Sequence, residues 1–200
     1  MPLDEYIFGK FANYFKNNKK YSNDIVERSV SLIDIKSKLT ILSRATTGRA
    51  IQIFPAEKEG GYKNDSFFLP ISFSAFSTKQ LNLSYYLYRI LYLSVQQKLN
   101  LNWDNSNEQS VELSQLKAKE TSQQVLDILY DEYPVTKELH QAFAEQIISN
   151  SSEKNSLNFT WLYGKWMQND IEDGEDKKLK NFSDKVKVAV EKQPTTIIKA

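Results

Sequence analysis

Residues 39–103 read LTILSRATTGRAIQIFPAEKEGGYKNDSFFLPISFSAFSTKQLNLSYYLYRILYLSVQQKLNLNW, and the changes of hydrophobic period inside this stretch decide the fold class. Up to Gly48 the apolar residues fall at helical spacing, with Leu39 and Leu42 closing a pattern that begins at Val26, Val30 and Ile33. Ser22-Asn23-Asp24 offers N-cap chemistry at its start, and Gly48 a C′ glycine at its end. After Gly48 the period shortens. Ile51 and Ile53 alternate with Gln52 and Phe54, residues 59–65 supply turn chemistry through Gly60-Gly61 and Asn64-Asp65, and Phe67-Phe68-Leu69 lead into Pro70. This predicts a β-hairpin over about residues 49–70. The helical period then returns over residues 81–99, with Leu83, Leu87, Ile90, Leu91 and Val95 on one side and Tyr85, Tyr86, Tyr88 and Tyr92 spread around the rest. A helix that is apolar or aromatic nearly all round is normally central, so Leu87, Ile90 and Leu91 are expected at the centre of the core.

Working outward, Leu3, Ile7, Phe8, Phe11, Tyr14 and Phe15 recur at spacings that predict a first helix, joined by the polar residues 17–20 to the second. Beyond Trp103 a polar stretch leads to Val111, Leu113, Leu116, Val125, Leu126 and Leu129, a helical pattern that ends before Pro134. Thr136 is placed to cap a further helix through Leu139, Phe143, Ile147 and Ile148. The fold class is therefore α+β and predominantly α-helical, with about five helices and one β-hairpin between the second and third. Residues 1–167 form the α-rich domain and end in an aromatic island, LNFTWLYGKWM over 157–167. Residues 168–200 begin with acids and continue with lysines, the composition of a flexible linker. The apolar run Thr195-Thr196-Ile197-Ile198 is unusual for a chain end, which suggests that the linker leads toward a further C-terminal domain.

Composition removes several function classes. The 26 basic residues nearly balance the 25 acidic ones, for a net charge of +1, so no whole-chain field recruits nucleic acid or anionic lipid. The chain has no cysteine, which excludes disulfides, thiolate metal sites and a cysteine nucleophile. Asp4 and Glu5 stand where a secretory signal carries positive charge, and the most apolar run is interrupted by Asn82 and Arg89, so no membrane insertion and a cytoplasmic location are expected. His140 is the only histidine, so no multi-histidine zinc site can be built, and it reads as an ordinary partly exposed side chain. No Gly-x-Ser-x-Gly elbow, P-loop or Gly-x-Gly-x-x-Gly occurs. The acidic run around Gly174 fails as an EF-hand because Ile171 and Lys180 fall on ligand positions. Glu57 and Glu59 lie in an open, lysine-containing loop where a raised carboxyl pKa is hard to arrange. A non-enzyme without a cofactor is the reading that remains. The chain's arginines are Arg28, Arg44, Arg49 and Arg89. The last three lie in or beside apolar elements, as ion-pair and helix-capping residues or as a polar patch for a partner.

The run SRATTGRAIQIFPAEKEGGYKNDSFFLP, then FS, then NLSYYLYRILYLSVQQKLNLNW, together with the later WLYGKW, resembles the N-terminal region of NorD-type nitric oxide reductase activation proteins. The matching positions are Arg44-Ala45, Gly48, Gly60-Gly61, Leu69-Pro70, Tyr88-Arg89 and Leu162-Tyr163-Gly164, and the resemblance covers roughly residues 30–165. It implies a helical module that normally precedes a von Willebrand A domain and acts with a MoxR-type AAA+ ATPase to activate or mature a target enzyme. No such domain and no catalytic residue can be carried over to this chain. The function this suggests is a non-catalytic interaction or scaffold module whose partner is the ATPase, its client enzyme, or both. Tyr62 at the hairpin tip, Arg49, and Trp161 and Trp166 in the aromatic island are the candidate partner-binding residues, because exposed aromatics and arginines anchor interfaces. Two alternatives stay open: a degenerate metal-hydrolase-like fold, and an unrelated free-standing helical adaptor.

Overall fold

The computed structural model describes residues 23–103, 109–150 and 159–169. The chain divides into Met1–Asn169 and Asp170–Ala200. The second unit lies outside the described residues, as do the helix expected before Asn17 and nearly all of the expected linker. The first unit is a predominantly helical α+β fold, with α1 (Asn23–Arg28), β1 (Val30–Ser31), α2 (Leu32–Thr47), β2 (Gln52–Ala56), β3 (Tyr62–Lys63), β4 (Ser66–Pro70) and β5 (Ser72–Phe73). These are followed by α3 (Lys79–Lys98), α4 (Val111–Glu120), α5 (Ser122–Glu132), α6 (Val135–Asn150) and the single turn α7 (Thr160–Tyr163).

The helix expected up to Gly48 is broken near its start. Val30 and Ser31 leave the helical path to pair antiparallel with Phe73 and Ser72, the Ser29 and Ser72 hydroxyls meet at 2.7 Å, and the Leu32 N–H donates to the Ile71 carbonyl at 2.8 Å. Here tertiary pairing overrides a helical period. The C-terminal end follows the sequence reading: Gly48 is left-handed at φ 66°, and its N–H donates to the Arg44 carbonyl at 2.9 Å. The run from Val111 to Pro134 is likewise two helices, α4 and α5, separated at Thr121. Thr136 lies inside the first turn of α6 and donates its hydroxyl to the Tyr133 carbonyl at 2.6 Å, so it does not accept as a capping residue does.

The strands differ more from expectation. An antiparallel hairpin does form, but it is confined to β3 and β4 around Asn64-Asp65, with Tyr62 opposite Phe67. β2 runs parallel to β4 on the other side, from Gln52 opposite Ser66 to Ala56 opposite Pro70, giving the order β2-β4-β3. The chain returns from β2 by passing directly over β4. A Cβ on Gly60, which has φ 63°, would lie 2.0 Å from the Phe68 carbonyl oxygen, and the Phe68 N–H donates to the Gly61 carbonyl at 2.8 Å. The Gly-Gly pair is a backbone crossing that admits no side chain at the first glycine, where the left-handed φ adds a second demand.

α3 is the central element, packed on α1, α2, α5, α6 and β4. Thr78 caps it by accepting from the Leu81 N–H at 3.2 Å. Ile90 is fully buried as expected, but Leu91 is only partly buried and Leu87 is 37% exposed, so the expected centre of the core is displaced. Tyr85, Tyr86, Tyr88 and Tyr92 hold it instead. Tyr85 stacks on Phe73 with ring centroids 3.7 Å apart, Phe76 stacks on Phe143 at 4.7 Å, and the Tyr86 hydroxyl donates to the Pro70 carbonyl at 2.8 Å. Each ring buries more area than a leucine and makes directional contacts as well, which turns the aromatic side of the helix inward. Accordingly Ile90→Ala should lower the unfolding free energy by about 2–5 kcal/mol, and Leu87→Ala by less than about 1 kcal/mol. Urea midpoints of the two variants check this, and equal losses would return Leu87 to the core.

Candidate functional site

Three of the four residues expected to meet a partner belong to one internal joint. Tyr62 is 2% exposed: opposite Phe67 it points to the covered face, and Asn64-Asp65 form the tip in its place. Residues 159–169 lie across the body as a strap. The Arg89 guanidinium, wholly buried on α3, donates from Nη1 to the Leu162 carbonyl at 2.7 Å, and its Cζ lies 5.3 Å from the Tyr92 ring centre. Gly164 sits against it at φ 72°, where a Cβ would come 2.3 Å from Nη2 and 2.7 Å from the Gly60 carbonyl oxygen. The Lys165 N–H then donates to Gly60 at 2.9 Å, the Trp166 N–H to Ser114 at 3.1 Å, and the Trp103 N–H to Met167 at 3.1 Å.

Asn102 pins the far end. Its side chain accepts from the Met167 N–H and donates both to the Tyr62 carbonyl at 2.9 Å and to the Asn169 carboxamide oxygen at 3.1 Å. The same Asn169 oxygen accepts from the Asn64 N–H at 2.9 Å. Trp161 packs edge-on against Phe73 at 5.5 Å and Trp166 edge-on against Trp103 at 5.1 Å, and both are half-buried. The tryptophans dock the strap onto the core, which uses up most of the surface that made them candidates.

The joint carries an electrostatic tension. Arg89 Nε and Nη2 and the hydroxyls of Tyr85 and Tyr88 are buried without hydrogen-bond partners. Glu59, 3% exposed and hydrogen-bonded by the Gln115 side chain, acts on Tyr85 with the opposite sign to Arg89. Burial raises the pKa of both tyrosines well above the ordinary value of 10.0, outweighing the lowering by Arg89. Hydroxyls held this firmly protonated are poor bases at neutral pH. Arg44 contributes elsewhere, donating from Nε to the Ile51 carbonyl at 3.3 Å, so the three arginines form no shared patch.

Arg49 alone among the four stays exposed, and it stands at the rim of a cleft of about 460 Å³. The walls are the last residues of three helices: Thr46 and Thr47 of α2, Gln97 and Lys98 of α3, and Glu132 of α5 with Tyr133 after it. Two open ion pairs flank it, Arg49–Asp65 at 3.2 Å and Lys98–Glu132, and deeper in, the Thr46 and Ser94 hydroxyls meet at 2.8 Å. Helical periodicity cannot show that three helix ends converge, so the sequence offered Arg49 but not its surroundings.

His140 is half-buried and bridges two elements, with Nδ1 2.7 Å from the Tyr130 hydroxyl and Nε2 3.4 Å from that of Tyr163, while its ring stacks on Tyr88 at 6.0 Å. A neutral imidazole, with one N–H and one lone pair, matches two hydroxyls. Burial lowers its pKa below the ordinary 6.5, and pushes that of Tyr130 up to about 12. Among the described residues no three His, Asp or Glu side chains gather as a metal-ligand set, and no described helix is long and apolar enough to cross a membrane.

Two outcomes are expected. Gly164→Ala should cost about 3 kcal/mol, combining a left-handed backbone with an overpacked contact, and should speed amide exchange over residues 162–167. A loss below about 0.5 kcal/mol would show that the strap is not seated on Arg89. For His140 the unfolded chain binds a proton more readily than the folded one, so its contribution is full above pH 6.5 and is lost as the pH falls through the lower folded value. The stability gap between wild type and His140→Gln should therefore shrink on going from about pH 7.5 to about pH 5. Urea midpoints at both pH values read it, and a gap that widens in acid contradicts the assignment.

Comparison of the chain with protein-family models, with curated proteins and with solved structures found no match.

Proposed function

We propose that this domain is the non-catalytic interaction module of a NorD-like accessory protein, which works with a MoxR-type AAA+ ATPase to activate or mature a target enzyme such as nitric oxide reductase. The observation that carries the reading is where the residues of the resemblance fall. Tyr88-Arg89, Gly60-Gly61 and Leu162-Tyr163-Gly164 meet in the joint under the strap. Nearby, Leu69 is buried and the Pro70 carbonyl accepts from Tyr86, while Gly48 closes α2. Such residues hold a shape and perform no reaction. A scaffold of this kind works by presenting a rigid surface, and the strap ends at Asn169, where the chain passes from its first unit to its second. ATP-driven work then belongs to the partner, with the target enzyme as client.

Co-purification tests the proposal. The folded wild-type domain, immobilised, should retain a MoxR-type AAA+ ATPase from its own organism, or that ATPase's client, in the presence of nucleotide. Gly164→Ala should weaken retention only as far as it lowers the folded fraction. Failure of the folded domain to retain either protein, with nucleotide present, overturns the reading.

A further inference from the structure

The two hydroxyls that flank His140 are bound at very different lengths. Nδ1 lies 2.7 Å from the Tyr130 hydroxyl of α5, and Nε2 lies 3.4 Å from the Tyr163 hydroxyl of the strap. Bonds donated by a hydroxyl are typically about 0.2 Å shorter than bonds donated by an N–H. The short contact is therefore the one in which the Tyr130 O–H donates, and Nδ1 carries the lone pair that receives it. The proton of the neutral ring is left for Nε2.

The other side of the ring gives the same answer from different residues. The Ser122 hydroxyl donates its one proton to the Lys119 carbonyl at 2.7 Å, so toward Tyr163, with which it is also hydrogen-bonded, it accepts. Tyr163 then spends its own proton on Ser122 and turns only lone pairs toward His140. An acceptor at that place calls for an N–H on Nε2. The titratable rings facing His140 are Tyr88 of α3, Tyr130 of α5 and Tyr163 of α7; Asp127 acts on Tyr130, and Tyr92 and Arg89 act on Tyr88. Burial raises the pKa of all three tyrosines, so among these rings the imidazole alone changes charge between about pH 7.5 and about pH 5.

We propose that His140 is held as the Nε2–H tautomer in the middle of a one-way hydrogen-bond chain, running from Tyr130 through His140, Tyr163 and Ser122 to the Lys119 carbonyl, and that acid reverses its first link only. Taking up a proton from solvent at Nδ1, the imidazolium donates from both nitrogens. Nε2–H keeps its place on Tyr163 and gains charge assistance, so the strap stays seated. Nδ1–H meets the Tyr130 hydroxyl, which turns round to accept and points its proton toward solvent, as a half-buried side chain can. Acid thus changes the contact between α5 and α6 and leaves the strap alone. None of this depends on the interaction-module reading.

Long-range 1H–15N correlation spectra of the 15N-labelled full chain test the proposal, and since the chain has one histidine they show one imidazole. At about pH 7.5 the expected spectrum has Nε2 at the protonated position and Nδ1 at the unprotonated one. Ser122→Ala does not touch the ring but removes the group that fixes the direction of Tyr163, so the share of the Nδ1–H tautomer should rise about fivefold. Tyr163→Phe, which keeps the aromatic ring and removes the acceptor itself, should do the same. An otherwise unchanged amide spectrum shows that each variant is folded. On lowering the pH through the His140 titration, amide protection over residues 162–167 should hold steady relative to that of α3. A wild-type ring protonated at Nδ1, a tautomer ratio unmoved by both variants, or strap protection that collapses as His140 titrates overturns the proposal.

Discussion

The hydrogen bond from the buried Arg89 guanidinium to the Leu162 carbonyl is the contact on which the rest of the described structure depends. It brings a cation into the middle of the protein, on a helix whose largest buried side chains are otherwise aromatic. Burial of this kind is costly unless neighbouring groups are arranged around the charge. Here the arrangement consists of a carbonyl from a distant segment and the Tyr92 ring face. Gly164 exists at its position because nothing larger fits between the guanidinium and the Gly60 backbone. One arginine thereby ties together the central helix, the crossing loop between β2 and β3, and the strap.

The aromatic residues do the remaining work of specification. A core of leucines alone fills space but tolerates several arrangements, whereas stacked and edge-on rings, with the Tyr86 hydroxyl fixed on a carbonyl, accept few. Tyr86 reads the end of β4 through the Pro70 carbonyl, Tyr85 and Phe73 lock β5 to α3, and Phe76 and Phe143 lock the loop before α3 to α6. His140 extends the same logic to the edge of the core by coupling α5, α6 and the strap through two hydroxyls.

With its most aromatic segments spent on internal docking, the molecule keeps an exposed polar cleft at the ends of three helices. The buried joint supplies rigidity, and the cleft supplies charge in a fixed geometry. Helix ends are well suited to this, because their partial charges are set by the backbone and do not move when side chains exchange partners.

Much of the architecture was legible in the sequence, and what was not shares one physical cause. Gly48, the central position of the 79–98 helix, and the alternation from helix to strand and back are local signals, carried by spacing and by residues with special backbone freedom. Pairing partners are not local. The pattern of residues 49–70 revealed strands but could not reveal that β2 joins β4 in parallel, since that depends on a loop threading over a backbone with no room for a side chain. The break at Ser29–Ser31, the burial of Tyr62 and the docking of Trp161 and Trp166 likewise follow from contacts with segments some forty or more residues away. Arg49 was recognisable as an arginine near an apolar element, yet its cleft exists only because three helices end together. The sequence by itself determined the alternation of helix, strand and helix, the cap at Gly48 and the exclusion of thiol chemistry. Only the tertiary structure decided which of its aromatic and charged side chains are buried joints and which remain free to meet another molecule, because burial belongs to the packed whole and periodicity to the chain.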